Sequence, residues 1–166
     1  MRFDKLTLKA QEALQEAQRI ASRLQHQAVD VEHLLLALLG QPEGIASSIF
    51  KKLGADPAII RGDLEKILSR LPKVTGAGNG QVYMSTRLNK VLEAAFAEAS
   101  RMKDEYVSIE HILVAMADEK EGVAGQILNR AGVTRDAIFK VLVDIRGSQR
   151  ITDQNPEEKF QALERY

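Results

Sequence analysis

The chain has 166 residues, with 23 Lys and Arg against 23 Asp and Glu, and this zero net charge argues against a broad nucleic-acid footprint. It contains no Cys and no Trp, which removes disulfide frameworks, thiolate metal sites and cysteine nucleophiles. The length can bury a sizeable core, no apolar run is long enough to span a bilayer, and Met1-Arg2-Phe3-Asp4-Lys5 lacks the apolar stretch of a signal peptide, so a soluble cytoplasmic protein without a membrane partner is expected.

Leu6, Ala10, Ala13, Leu14, Ala17, Ala21 and Leu24 recur at helical spacing and predict a first helix over 8–24, with Thr7 as its N-cap. Asp30 caps a second helix, which is apolar nearly all round from Leu34 to Leu39 and ends at Gly40-Gln41-Pro42. A third helix carries Ile45, Ile49, Phe50 and Leu53 and stops at Gly54. Asp56-Pro57 then opens a fourth, which continues to Leu71. The Gly-rich segment from Pro72 to Gly80 reads as a connector. Beyond it, helix five begins after Ser85 or Thr86 and runs to Met102, and helix six starts at Ser108. Helix seven covers Val123 to Ala131 before Gly132, and helix eight opens at Thr134 and carries Ile138 to Ile145. Sustained alternation of strand length is found nowhere.

This order of elements repeats. Val31-Glu32-His33-Leu34 returns as Ile109-Glu110-His111-Ile112 at a constant offset of 78 positions. Ala21-Ser22-Arg23 matches Ala99-Ser100-Arg101, Glu43-Gly44-Ile45-Ala46 matches Glu121-Gly122-Val123-Ala124, and Gly54 matches Gly132 without a gap. The expected fold is all-α: two four-helix repeats packed with approximate two-fold symmetry, either as two small domains or as one fused pseudo-dimer. Beyond Gly147, Asn155-Pro156-Glu157 is a helix start, and Phe160, Leu163 and Tyr166 form an apolar stripe without an obvious partner.

The polar pairs Glu32-His33 and Glu110-His111 invite a catalytic or metal reading. Neighbours on a helix point about 100° apart, so the two side chains do not comfortably chelate one ion, and the zinc-protease spacing is missing. The simpler reading has a first-turn Glu complementing the helix dipole and a His satisfied by a nearby backbone group. The two carboxylates are alternatively the polar rim of one groove between the repeats. Gly76 to Gly80 lacks the Lys-Ser/Thr ending of a phosphate loop, and Thr7 and Ser108 read as caps rather than nucleophiles. No catalytic or metal-binding residue is assigned, and a helical interaction module is favoured over a hydrolase built on the Glu-His pairs.

The Phe3-x-x-Leu6-Thr7 opening, the doubled Glu-His-apolar run, Glu-Gly-Ile/Val-Ala and the Gly ending each third helix resemble the duplicated N-terminal domain of Clp-type AAA+ unfoldases. The likeness covers 1–147: repeat one 1–71, linker 72–83 and repeat two 84–147. Residues 148–166, with Ile151-Thr152-Asp153-Gln154-Asn155 and Gln161-Ala162-Leu163-Glu164-Arg165-Tyr166, are similar to the junction into the first ATPase domain of the ClpB-type disaggregase branch. That resemblance implies a mobile module that captures unfolded or aggregated polypeptide for a homohexameric ring working with a DnaK-type chaperone system. ATP and magnesium would belong to the parent chain, and this fragment is expected to be a monomer. It implies substrate contacts at Thr7, Asp104 and Glu110, with Leu92 as an apolar wall and Glu32 as a possible second rim carboxylate. Replacing Glu110 by Ala is then expected to weaken capture of basic, apolar peptides without unfolding the domain. The alternative is a ClpC- or ClpA-like protease unfoldase, whose N-domain docks adaptors or holds phosphorylated arginine at the positions of Glu32 and Glu110.

Overall fold

A computed structural model describes residues 3–41, 44–74, 82–147, 151–152, 154 and 156. After a single 3-10 turn at Phe3–Lys5, the chain forms α1 (Leu8–Arg23), β1 (Ala28–Val29), α2 (Val31–Leu39), α3 (Ile45–Leu53) and α4 (Pro57–Ser69). The second copy follows as β2 (Tyr83–Met84), α5 (Thr86–Arg101), α6 (Ile109–Ala117), α7 (Ala124–Arg130) and α8 (Arg135–Arg146). The expected all-α fold is present. Helices α4 and α7 are one or two residues shorter than their periodicity suggests, as end turns commonly are. The connector at 75–80 and the apolar stripe of Phe160, Leu163 and Tyr166 lie outside the described residues.

Local chemistry explains where the helices begin and end. Thr7, Ser85 and Thr134 accept the N–H three residues on, at 3.2, 2.9 and 3.2 Å, and Asp56 accepts that of Ala58 with Pro57 in the first turn. Helices α3 and α7 finish on Gly54 and Gly132 at φ 73° and 87°, the left-handed conformation that a missing Cβ makes accessible. Helices α1 and α5 close in the same way on Gln25 and Lys103, at φ 61° and 59°. The next residue donates back into the helix: His26 N–H to Ala21 O at 2.9 Å and Asp104 N–H to Ala99 O at 2.9 Å. These matched closures bring His26 and Asp104 to equivalent places.

The reading without strands needs one correction. Strands β1 and β2 pair in parallel, Ala28 opposite Tyr83 and Val29 opposite Met84. Leu6 and Val107 form the matching bridge, with Thr7 N–H donating to Val107 O at 3.0 Å and Val107 N–H to Lys5 O at 2.8 Å. The lead-in to each copy therefore pairs with the first inter-helix loop of the other. Two-residue pairings are too short to show a period of two in the sequence.

Helices α2 and α6 are the sheathed centres of their copies, with Leu34, Leu35, Leu38, Ile112, Leu113 and Met116 fully buried. Helix α3 packs on α6 and α8, and α4 packs on α7. One apolar cluster draws on both copies. Of the two arrangements left open by the sequence, the fused pseudo-dimer is the one observed.

Candidate functional site

At the start of each central helix the imidazole replaces the usual capping glutamate. His33 Nδ1 accepts the Asp30 N–H and His111 Nδ1 the Ser108 N–H, both at 2.9 Å. This fulfils the expectation that a backbone group satisfies the histidine. With Nδ1 used as acceptor, the ring proton of the neutral form sits on Nε2, and the two copies meet it differently. His33 Nε2 lies 2.8 Å from His26 Nδ1, a neutral pair. Burial, followed by the charge of His26, lowers the His33 pKa to about 4 against the opposing pull of Asp30. Burial lowers His26 as well, with the Leu68 carbonyl opposing and Lys73 adding to the effect.

In the second copy His111 Nε2 lies 2.7 Å from Asp104 Oδ2. Asp104 also accepts from Arg146 at 2.6 Å and from the Ile151 N–H at 2.9 Å. Burial alone would raise this carboxyl; His111, Arg146 and the Ile151 amide together hold it down at about 2. Glu110 completes the cluster, with Oε1 against Ser108 Oγ and Oε2 3.6 Å from Arg146 Nη1. Ile151 is fully buried and its carbonyl accepts the Glu105 N–H at 2.8 Å, so Ile151 is strapped onto this cluster.

The first copy's glutamate is held from across the pseudo-dimer. Arg87 on α5 grips Glu32 with both terminal nitrogens at 3.1 and 2.8 Å, reaches Glu119 at 2.7 Å and touches Asp30 at 3.2 Å. Burial pulls the Arg87 pKa down, and the three carboxylates more than offset it, so the guanidinium stays charged.

These contacts correct the expected rim. Glu110 is fully buried and Glu32 is 4% exposed; both face arginines of this chain instead of an open groove. The physical reason is that a first-turn carboxylate on a central helix is carried inward with that helix, and it must then find an internal cation. Thr7 and Leu92 are likewise fully buried, Thr7 as a cap and Leu92 in the core, and the Asp104 carboxylate is enclosed. The structure brings Asp104 and Glu110 together and places none of the four on an open surface. With Glu110 beside Arg146 in the interior, the expectation that Glu110→Ala leaves folding untouched is also revised. Among the described residues, no group of three His, Cys, Asp or Glu is placed to hold a metal ion.

An open concavity lies elsewhere among the described residues. A trough of about 890 Å³ runs along the first copy, with α2 as floor and α1 and α4 as walls. Ile20, Leu24, Leu36, Ala37, Ile45 and Leu68 line it with apolar surface, joined by Ile109 of the second copy, and its charged lining is Lys9, Glu12, Glu16, Arg19, Arg23, Arg61 and Glu65. Reasoning from sequence missed this trough, together with Arg87, Arg146 and His26. A signal existed for two of them: at the offset of 78, Arg146 stands opposite Leu68 and Asp104 opposite His26.

Residues 5–131 match the family model described as the Clp repeat (R) N-terminal domain. The whole chain is 40% identical to the chaperone protein ClpB of Bacillus cereus and covers 19% of it. It is 42% identical to ClpB of Nitratidesulfovibrio vulgaris, again over the whole chain and 20% of that relative. The chain thus spans about a fifth of the length of the curated relatives it matches. The N-terminal domain of Hsp104 from Candida albicans superposes with a TM-score of 0.79 at 22% identity, over 92% of this chain and 99% of that one. A ClpV N-domain in complex with a VipB peptide gives 0.72 at 21% identity, over 90% and 91%. The two structures share the fold. No helix among the described residues is long and apolar enough to cross a membrane.

Proposed function

Because the chain belongs to the Clp repeat N-terminal domain family, we propose that it is the substrate-recognition module of a ClpB-type ATP-dependent disaggregase. It captures unfolded or aggregated polypeptide and passes it to a hexameric AAA+ ring formed by the rest of the parent chain. ATP and magnesium act in that ring, and a DnaK-type system cooperates through it in the cytoplasm. The observation that carries this reading is the match of the whole chain to ClpB chaperones at about 40% identity. A concave, apolar-floored surface on one copy supports it, because such surfaces serve recognition without needing activated groups. The peptide held by the related ClpV N-domain is in keeping with it.

The resemblance implies substrate contacts at Thr7, Leu92, Asp104 and Glu110; their side chains are buried in this structure, and the proposal does not rest on them. Phosphoarginine capture is not favoured for this chain, because Arg87 and Arg146 already engage Glu32 and Glu110.

The chain is expected to bind fluorescein-labelled, reduced and carbamidomethylated α-lactalbumin saturably, at micromolar affinity or weaker. This corresponds to about −8 kcal/mol or less in magnitude. Binding of the unfolded protein no stronger than that of native, folded α-lactalbumin would overturn the reading.

A further inference from the structure

We infer that Ile151 and Gln154 form a releasable clasp across the seam between the two copies, whose opening lengthens the tether that carries the domain. The clasp concerns this chain alone; its use as a mount rests on the function proposed above. Ile151 is fully buried. Its N–H donates to Asp104 Oδ1 at 2.9 Å and its carbonyl accepts the Glu105 N–H at 2.8 Å, both in the first inter-helix loop of the second copy. The Gln154 carbonyl accepts the Leu8 N–H at 2.8 Å, and the Gln154 side chain donates to the Asp4 carbonyl at 2.9 Å. Pro156 is buried as well. Asp4, Leu8 and Glu105 stand two residues from the bridged Leu6 and Val107, where the two copies pair. The clasp therefore takes its partners from both sides of the seam.

The duplication shows which residues serve the clasp. At the offset of 78, the first copy has His26 for Asp104, Leu68 for Arg146, Ser69 for Gly147 and Lys73 for Ile151. Lys73 is exposed where Ile151 is buried. Gly147 ends α8 at φ 59° and ψ −124°, a conformation that a Cβ makes costly, and Ser69 does not share the positive φ. In the second copy Asp104 offers Oδ2 to His111 and Oδ1 to Arg146, which leaves Oδ1 aimed to accept the Ile151 N–H too. His111 and Arg146 are thus positioning residues: they fix the carboxylate that holds Ile151.

The same arrangement makes the clasp separable from the fold. When Ile151 leaves, Asp104 keeps His111 and Arg146, so no buried charge is stranded. The Leu8 N–H lies in the first turn of α1, where no carbonyl of its own helix can accept it, so its loss does not unwind the helix. What opens is one apolar side chain and a few bonds beside it, against a core shared by all eight helices, and such contacts open locally before the whole domain does. With the clasp closed, the chain beyond Pro156 starts beside the entry turn. With it open, Gly147 becomes the last fixed residue and residues 148–156 join the tether, adding about 30 Å at full extension. The recognition module then has a short mount and a long one.

Native-state hydrogen exchange, read residue by residue by NMR, tests the clasp in the unaltered chain. Leu8 and Glu105 are its reporters, because their amides donate to Gln154 and Ile151 from opposite sides of the seam. Both are expected to be protected, to share one opening free energy, and to exchange about tenfold or more faster than Leu35 and Leu113 in the central helices. Gly147→Val and, separately, Ile151→Ala are expected to raise exchange at both reporters by about tenfold or more while Leu35 and Leu113 stay protected. A residue of merely structural weight would lower all four together. Reporters that exchange as fast as unstructured chain overturn the clasp, because it is then not formed. Reporters that exchange only with Leu35 and Leu113 overturn its release, and unequal opening of the two shows separate contacts rather than one clasp. The comparison within the native chain decides these points however the variants fold. It reads only the chain's own amides, so its failure leaves the recognition function to the α-lactalbumin titration.

Discussion

The two copies share a backbone and differ in what they bury. Both close α1 or α5 on a left-handed non-glycine residue, both present the following side chain to the cap histidine, and both use the imidazole as a reversed cap. In the first copy the partner is His26, and Leu68 occupies the place of Arg146, so the interior cluster is neutral. In the second it is Asp104 with Arg146, Glu110 and the strapped Ile151, so charges are enclosed. At the surface the first copy carries a trough of mixed apolar and charged lining, and in the second Arg135 at the start of α8 pairs with Glu98 on α5 and with Asp118 at the end of α6. Duplication conserved the positions at which the helices are held, and the chemistry at those positions diverged between a neutral cluster and a charged one.

The largest effect should come from removing the acceptor of the enclosed cluster. Asp104→Ala strands Arg146, His111 and the Ile151 amide, and is expected to cost about 3–5 kcal/mol in urea unfolding. His26→Ala at the equivalent place strands no charge and should cost about 1–3 kcal/mol. Equal losses would erase the distinction between the copies. Next in size is Arg87→Ala, which leaves Glu32 and Glu119 nearly buried without their cation and should cost about 2–4 kcal/mol. Arg135→Ala, acting at a third-exposed side chain, should cost about 0.5–1 kcal/mol. If the second exceeded the first, the clasp between the copies would not be what holds them together.

Acid should then separate the copies by pH window. His33 falls from 6.5 to about 4, so the unfolded chain binds its proton first; this stability is complete above pH 6.5 and lost as pH falls towards 4. Asp104 falls from 3.8 to about 2, so its contribution is complete above pH 4 and lost between about pH 4 and 2. At most the losses are roughly 3.5 kcal/mol for His33 and roughly 2.5 kcal/mol for Asp104, on the scale of 1.4 kcal/mol per pKa unit. Asp104→Asn should flatten the lower window and leave the upper one, as read from denaturant midpoints against pH. An NMR titration placing His33 near 6.5 would remove the upper window. The smallest and most symmetric effect is predicted for Gly54→Ala and Gly132→Ala. Each puts a Cβ at positive φ with open space around it and should lower stability by roughly 1 kcal/mol alike. A clear inequality would show that the two third-helix ends carry different loads.

The sequence by itself determined the eight helices, their caps and the duplication. Those features rest on side chains three or four residues apart and on single residues such as Asp56, Pro57, Gly54 and Gly132, whose preferences act on the nearest turn. It also indicated that the two cap histidines would be satisfied by backbone groups, which is local too. Only the tertiary structure decided which charges meet. Arg87 finds Glu32 across 55 positions and Arg146 finds Asp104 across 42, distances over which sequence pattern carries no preference. For the same reason Glu32 and Glu110 read as rim residues and lie inside: a carboxylate's place in a first turn is legible, but the cation that permits its burial arrives from another helix. The paired lead-in strands and the open trough belong with these. Each depends on how one copy is set against another element, where burial and ion pairing between distant residues outweigh the propensity of any single stretch.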